Sequence, residues 1–129
     1  MKYSEQISGF LNFLRDVQLE YMAAADDEKT AGDQTQDILH TLELGENSYH
    51  ANAKLAIALR SVRQERRRAK DKEQVLYPIA DWARQNQRTV KELERLLGDV
   101  RKAEKNTEFR HYNPKTDIVS RTLGGGGVL

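Results

Sequence analysis

The chain has 129 residues, 32% of them charged and 38% hydrophobic, with a formal net charge of +1. That length allows one domain with a modest core, or long helices that complete their cores by association. The absence of cysteine excludes disulfides and thiolate chemistry and leaves histidine and carboxylates as metal ligands, and no apolar run approaches the roughly 20 residues of a membrane span.

Ser4 reads as the N-cap of a first helix, whose apolar stripe is Ile7, Phe10, Leu11, Leu14, Val17, Tyr21, Met22 and Ala25, spaced three and four apart. A second stretch, Thr35 to Leu44, carries Ile38, Leu39 and Leu42 in the same phase. The two form either one long helix weakened at Gly32 or two helices, with Asp33 capping the second. Gly45 ends the helix in both cases, as a C′ residue. Asn47 or Ser48 caps the next helix, which is expected to bury Leu55, Ala56, Leu59 and Val62. Its inward face continues along the stems of Arg63 and Arg66 to Ala69. Pro78 marks a kink, or a boundary with the proline in the first turn of a new helix bearing Ile79, Trp82 and Ala83. Thr89-Val90-Lys91-Glu92 has the form of a capping box ahead of Leu93, Leu96, Leu97 and Val100. That helix fades near Lys105. Residues 106–129 read as a polar tail, with Gly124 to Gly127 a flexible run. No strand pattern and no internal repeat appear.

Although the mean hydropathy is -0.79, this periodicity separates the chain from a disordered polyelectrolyte. The opening Met-Lys-Tyr-Ser-Glu-Gln lacks an apolar segment, so no secretion signal is expected and a cytoplasmic location is the default. The charge is unevenly placed. Residues 1–50 carry three basic and ten acidic residues, a balance of −7, and residues 51–129 carry eighteen and ten, a balance of +8. Such asymmetry marks either a surface for an anionic partner or two parts that neutralise each other in an antiparallel bundle.

The densest basic feature runs from Arg60 to Lys72. At helical spacing Arg60, Arg63, Arg67 and Lys70 share one face, where like charges repel at some cost. A phosphate ligand would relieve that cost, and guanidinium groups match phosphate with paired hydrogen bonds; a solvated face with Glu65 and Asp71 as counter-charges is the plainer alternative. In the tail, Arg110, Tyr112 and Lys115 combine cations with a ring that could stack on a base. No helix-turn-helix, zinc-finger or RNA-recognition pattern accompanies either group. Asp37-x-x-His40 and Glu108-x-x-His111 have the spacing of helical di-iron ligands, but the core-facing glutamates such a site also needs are missing. A magnesium-dependent nucleotide hydrolase would need a second acidic pair in register with Glu20, Asp26, Asp27 and Glu28. No triad, P-loop or dinucleotide turn is present, so neither an enzyme, a metal site nor a cofactor is expected.

Three segments together resemble a group of short, helical, functionally uncharacterised proteins of Gram-positive bacteria and their phages. They are Asp37-Ile-Leu-His-Thr-Leu-Glu-Leu44, the run from Tyr49-His50 through Lys54-Leu55 to Arg66-Arg67-Arg68-Ala-Lys70-Asp71, and Leu96-Leu-Gly-Asp-Val-Arg101-Lys102 leading to Arg110-His-Tyr112-Asn-Pro114. The resemblance transfers no site. It implies a phage or prophage accessory protein, a class in which some helical oligomers block host defence by sequestering a nucleotide signal.

The expectation is therefore an all-α protein. Residues 1–105 form an antiparallel helical bundle or long helical hairpin, followed by a partly flexible tail, and the whole associates into a homo-oligomer. The expected role is non-catalytic binding of an anionic, nucleotide-like ligand through Arg60, Arg63, Arg67 and Lys70, with Arg110, Tyr112 and Lys115 closing over it. Sequence-tolerant nucleic-acid binding and docking of the first helix or the Trp82 region on a host protein are the alternatives.

Overall fold

A computed structural model describes residues 2–108 and 113–125. Four helices follow in order: α1 (Tyr3–Leu44), α2 (Tyr49–Gln85), α3 (Gln87–Glu108) and α4 (Ile118–Gly125). No strand occurs among the described residues. α1 has 42 residues, about 63 Å at 1.5 Å per residue. α2 turns back at residues 45–48 and runs antiparallel to it: Tyr21 and Tyr77 place their ring centroids 6.0 Å apart, and Gln18 Nε2 donates to the Ala80 carbonyl at 2.9 Å. Only Asn86 separates α2 from α3, and α3 continues along the start of α1, where the Ser4 N–H donates to Glu104 Oε2 at 3.2 Å. The molecule is a long hairpin whose second arm is α2 plus α3.

A seven-residue period explains the pairing. On the second arm Leu55, Val62, Ala69, Leu76, Ala83, Val90, Leu97 and Glu104 are all turned inward. Each lies seven residues from the last, and the series crosses Asn86 without a phase change. On α1 the matching rows are Leu11, Gln18, Ala25, Gly32 and Leu39, beside Leu14, Tyr21, Glu28, Thr35 and Leu42. A strict heptad keeps one stripe facing the partner along a left-handed supercoil. Leu11, Leu14 and Val17 are buried at the open end, and Ala24, Ala31, Ala69 and Thr35 in the middle. Each large buried side chain contributes about 1.5–3 kcal/mol. With one row of side chains between two arms, none falls below 2% exposure.

Several local expectations are corrected. Ser4 does not cap α1: the cap position is Lys2, which makes no side-chain cap bond, and Ser4 is buried in the first turn. Glu104 reaches across from α3 to serve that end, so a tertiary contact does the work of a local cap. The hydrogen bond with the Ser4 side chain, then that from its backbone N–H, holds the Glu104 carboxyl below the usual range. Thr89 does not open a capping box either, because α3 is helical from Gln87 and the Val90 N–H already donates to the Asn86 carbonyl at 3.0 Å. Pro78 sits inside α2 without ending it. Its ring is exposed, so the carbonyl it leaves unpaired faces water. Phe10 and Met22 are 44% and 64% exposed, and Ala56, Arg63 and Arg66 also face outward: the heptad seam is narrower than the stripe read from three-and-four spacing. Gly124, expected in a flexible run, belongs to α4; the remaining glycines of that run, beyond Gly125, lie outside the described residues.

The two glycines read as breaks behave differently. α1 passes straight through Gly32, and a Cβ there would meet nothing within 4 Å. Gly45 is the C-cap with φ −84°, its N–H donating to the Thr41 carbonyl, so no left-handed conformation is involved. It is held by crowding, since a Cβ would lie 2.6 Å from the Thr41 carbonyl oxygen and 2.7 Å from Asn47 Nδ2. The same Thr41 oxygen accepts from Asn47 Nδ2 at 2.8 Å, and Ser48 Oγ caps α2 by accepting from the Ala51 N–H at 3.1 Å. One substitution should therefore act with opposite signs at the two sites. In thermal melts Gly32→Ala raises stability by about 0.5–1 kcal/mol, whereas Gly45→Ala lowers it by about 1–3 kcal/mol.

Candidate anion-binding face

α2 carries no glycine and no proline before Pro78, so its basic segment is held at regular helical spacing. Arg60, Arg63 and Arg67 line one shallow trough of about 430 Å³ together with Ala56, Leu59 and Gln64. All six come from α2; no second element walls the trough. Arg60 and Arg67 lie two turns apart, about 10 Å along the axis. Arg67 Nε pairs with Asp71 Oδ1 at 3.3 Å, both side chains exposed, and such a pair contributes little. Among the described residues, no ion pair holds Arg60 or Arg63, and none joins α1 to α2 or α3.

Lys70 is placed differently from the three arginines. It lines the next groove, about 340 Å³, with Tyr21, Glu28, Glu73 and Tyr77. Glu28 and Glu73 face each other across the seam. A hydrogen bond with Glu28, partial burial and the Glu28 charge push the Glu73 carboxyl above its usual range, against the opposing pull of Lys70. The Lys70 ammonium is thus a neighbour of two acids, while the arginines one and two turns earlier face open solvent. Lys115 is exposed in the bend before α4. Arg110 and Tyr112 lie outside the described residues. α4 itself, with every described side chain exposed, makes no contact with the other helices among the described residues.

A second concave site escaped the reading of single helices. At the junction of the three helices Leu11, Leu14, Ala83 and Val90 floor a groove of about 370 Å³, rimmed by Arg15, Arg84, Lys91 and Glu94. Arg84 is engaged by Asp81, its i−3 neighbour, which tightens its hold on its proton. Carrying the seven-residue period across Asn86 would have revealed this site, because that register brings Lys91 beside Arg15. Asp37 and His40 are both exposed on α1, and His111 lies outside the described residues. Among the described residues no three His, Cys, Asp or Glu side chains gather as a metal site would. No described helix is long and apolar enough to cross a membrane.

No protein-family model matches this chain, and neither does a curated protein or a solved structure. The case for function therefore rests on its own residues.

The Glu28–Glu73 pair gives a pH signature. Because the folded state raises the Glu73 pKa, the stability it contributes is present in acid, below the unfolded value, and is lost as pH rises through the folded one. Glu73→Gln should accordingly raise the Tm at pH 7, with the gain shrinking as pH falls through the carboxylate range; paired melts of variant and parent at several pH values check it.

Proposed function

We propose that this chain is a non-catalytic binding protein for a phosphate-bearing, nucleotide-like ligand. The observation that carries the reading is the single trough on which Arg60, Arg63 and Arg67 converge, with no acid from α1 answering them. Two guanidinium groups without ion-pair partners, one turn apart, can each present two parallel N–H donors to a phosphate. Ala56 and Leu59 beside them offer apolar ground on which a base or sugar could rest. Arg110, Tyr112 and Lys115 are left out of this site within one chain: Glu104 lies against Ser4 and Ala69 beside Ala31, about 40 Å apart along α1, whereas the two to seven residues that follow Glu108 span at most about 25 Å. The cellular setting the resemblance suggests is a cytoplasmic phage or prophage accessory protein that blocks host defence by sequestering a nucleotide signal.

A specific observation favours a second reading. The trough is open and built from one helix, unlike the enclosed pockets that usually bury a small ligand. An extended polyanion lying along α2 would meet the same arginines, and binding would then be sequence-tolerant nucleic-acid binding. Salt separates the two. A protein that neutralises three phosphates of a single strand loses affinity with a log–log slope of about −2, and any long polyanion would compete.

A thermal-shift screen against nucleotides, cyclic nucleotides, ADP-ribose and short DNA and RNA tests the proposal. A ligand at a hundred times its dissociation constant stabilises the folded state by about 2.7 kcal/mol. Arg63→Glu with Arg67→Glu should weaken binding at least tenfold at unchanged helicity, since one charge-assisted hydrogen bond contributes about 1.5–3 kcal/mol. Full binding by that double variant would remove α2 from the site and direct attention to the groove at Arg15 and Lys91.

A further inference from the structure

The hairpin has two unlike flanks. On one, Arg68 and Lys72 of α2 line a groove with Ala24, Ala31 and Asp27 of α1. Residues a whole number of heptads apart share a flank. Stepping by sevens from Arg68 leads to Val75, Trp82 and, beyond Asn86, Thr89 and Leu96; stepping back from Ala24 leads to Val17, Phe10 and Tyr3. Phe13 joins them, its ring centroid 6.4 Å from that of Phe10. The opposite flank carries Lys70, Glu73 and the junction groove, and, one and two heptads before Gln74, Arg67 and Arg60. Toward the open end the first flank is apolar, and the other stays charged.

That apolar flank is uncovered. Tyr3, Phe10, Phe13, Val75, Trp82 and Leu96 are between 43% and 75% exposed. At about 150–250 Å² per aromatic they leave on the order of 600 Å² of apolar surface, at the upper end of the roughly 300–600 Å² of a monomer's largest patch. The chain as a whole exposes 10709 Å², against about 7,000 Å² for a globular monomer of its mass.

We infer that this flank is a self-association surface, and that two copies pack it face to face into a four-helix bundle. The area approaches the roughly 800 Å² per partner of a stable interface. Charge identifies the occupant as a second copy. α1 holds two basic and nine acidic residues, and α2 with α3 holds fifteen and nine, giving −7 and +6; yet no ion pair joins the arms within the chain among the described residues. A twofold axis along the rods sets α1 of each copy against the second arm of the other, so acid meets base and every neighbouring pair of helices is antiparallel. A twofold across the rods would instead lay α1 on α1, acid on acid. The favoured arrangement points both arginine troughs away from the interface. This inference stands apart from the anionic-ligand reading.

Light scattering and analytical ultracentrifugation of the full chain test it. A dimer is expected at micromolar concentration, with Trp82 fluorescence shifting to the blue as the dimer forms. Phe13→Glu with Leu96→Glu should give a monomer of unchanged helicity by circular dichroism, while Arg88→Glu, off the apolar flank, should leave the dimer intact. Because the chain lacks cysteine, Asn52→Cys takes a single spin label near the closed end. The rod-parallel twofold brings the two labels within about 35 Å, given layers about 10 Å apart. The crosswise twofold, centred near Leu11, separates them by about 100 Å. A parent that stays monomeric at 100-fold higher concentration overturns the inference, as does a dimer that survives both glutamates. The long distance overturns the orientation.

Discussion

Two helical arms with a single seam between them can stay in register only if both repeat their inward residues at the same interval. Here that interval is seven residues on each side, kept for eight positions from Leu55 to Glu104 and for five positions in each of two rows on α1. Every other feature follows from it. The seam decides which side chains are inside, so Phe10 and Met22 turn out of a stripe that a straight helix would have given them. It also keeps the inward residues of α3 in phase with those of α2 across Asn86, although the axis turns there: 14 residues of α1 separate Ser4 from Gln18, whereas 24 separate their partners Glu104 and Ala80. The shallow arginine trough exists for the same reason: with positions 55, 62 and 69 committed to the seam, Arg60, Arg63 and Arg67 are left together on an outer face.

The seam is not uniform. Near the open end Leu11, Leu14 and Val17 of α1 fill it against Ala80 and Ala83, whereas in the middle Ala24, Ala31 and Ala69 supply small residues from both arms. Small residues let helix axes approach, but they contribute little buried area per turn. Thr35, buried there, satisfies its hydroxyl by donating to the Ala31 carbonyl at 2.8 Å, and Glu28 of the Glu28–Glu73 pair lies about two turns before it. The centre of the hairpin therefore buries little apolar area and sets two like-charged groups, Glu28 and Glu73, against each other across the seam. The basic segment of α2 sits over this stretch, where a bulkier seam would have pushed the arms apart.

Much of the architecture could be read from the sequence, because apolar periodicity and the Gly45–Ser48 turn are local signals. The Ser48 cap is a case where local chemistry and structure agree. Ser4 and Thr89 have the right residue types for caps and yet serve otherwise, since Glu104 is a hundred residues away from the helix end it satisfies and no local pattern announces it. Arg60, Arg63 and Arg67 were legible as one face, because they belong to one helix. The separation of Lys70 was not, because the groove it lines is completed by Tyr21 and Glu28 of another helix. The junction site at Arg15 and Lys91 required knowing that α3 follows α2 along α1, a fact held by the register rather than by any motif.

The Asn86 backbone N–H and its side-chain Nδ2 both donate to the Trp82 carbonyl, at 2.9 and 2.8 Å, so the end of α2 is sealed whether or not α3 is in place. α3 has no buried residue of its own, and it rests mainly on the first turns of α1. The chain is thus built from two blocks of unequal cooperativity: a hairpin of α1 and α2 that is complete at its terminus, and a third segment that can peel away and return. Opening events of this kind have low free energies where few apolar contacts are lost. In the monomer amide exchange would therefore grade along the rod, slow through Leu14, Val17 and Ala80 and fast through α3 and the first turns of α1, with Asn86 as the boundary between the two regimes.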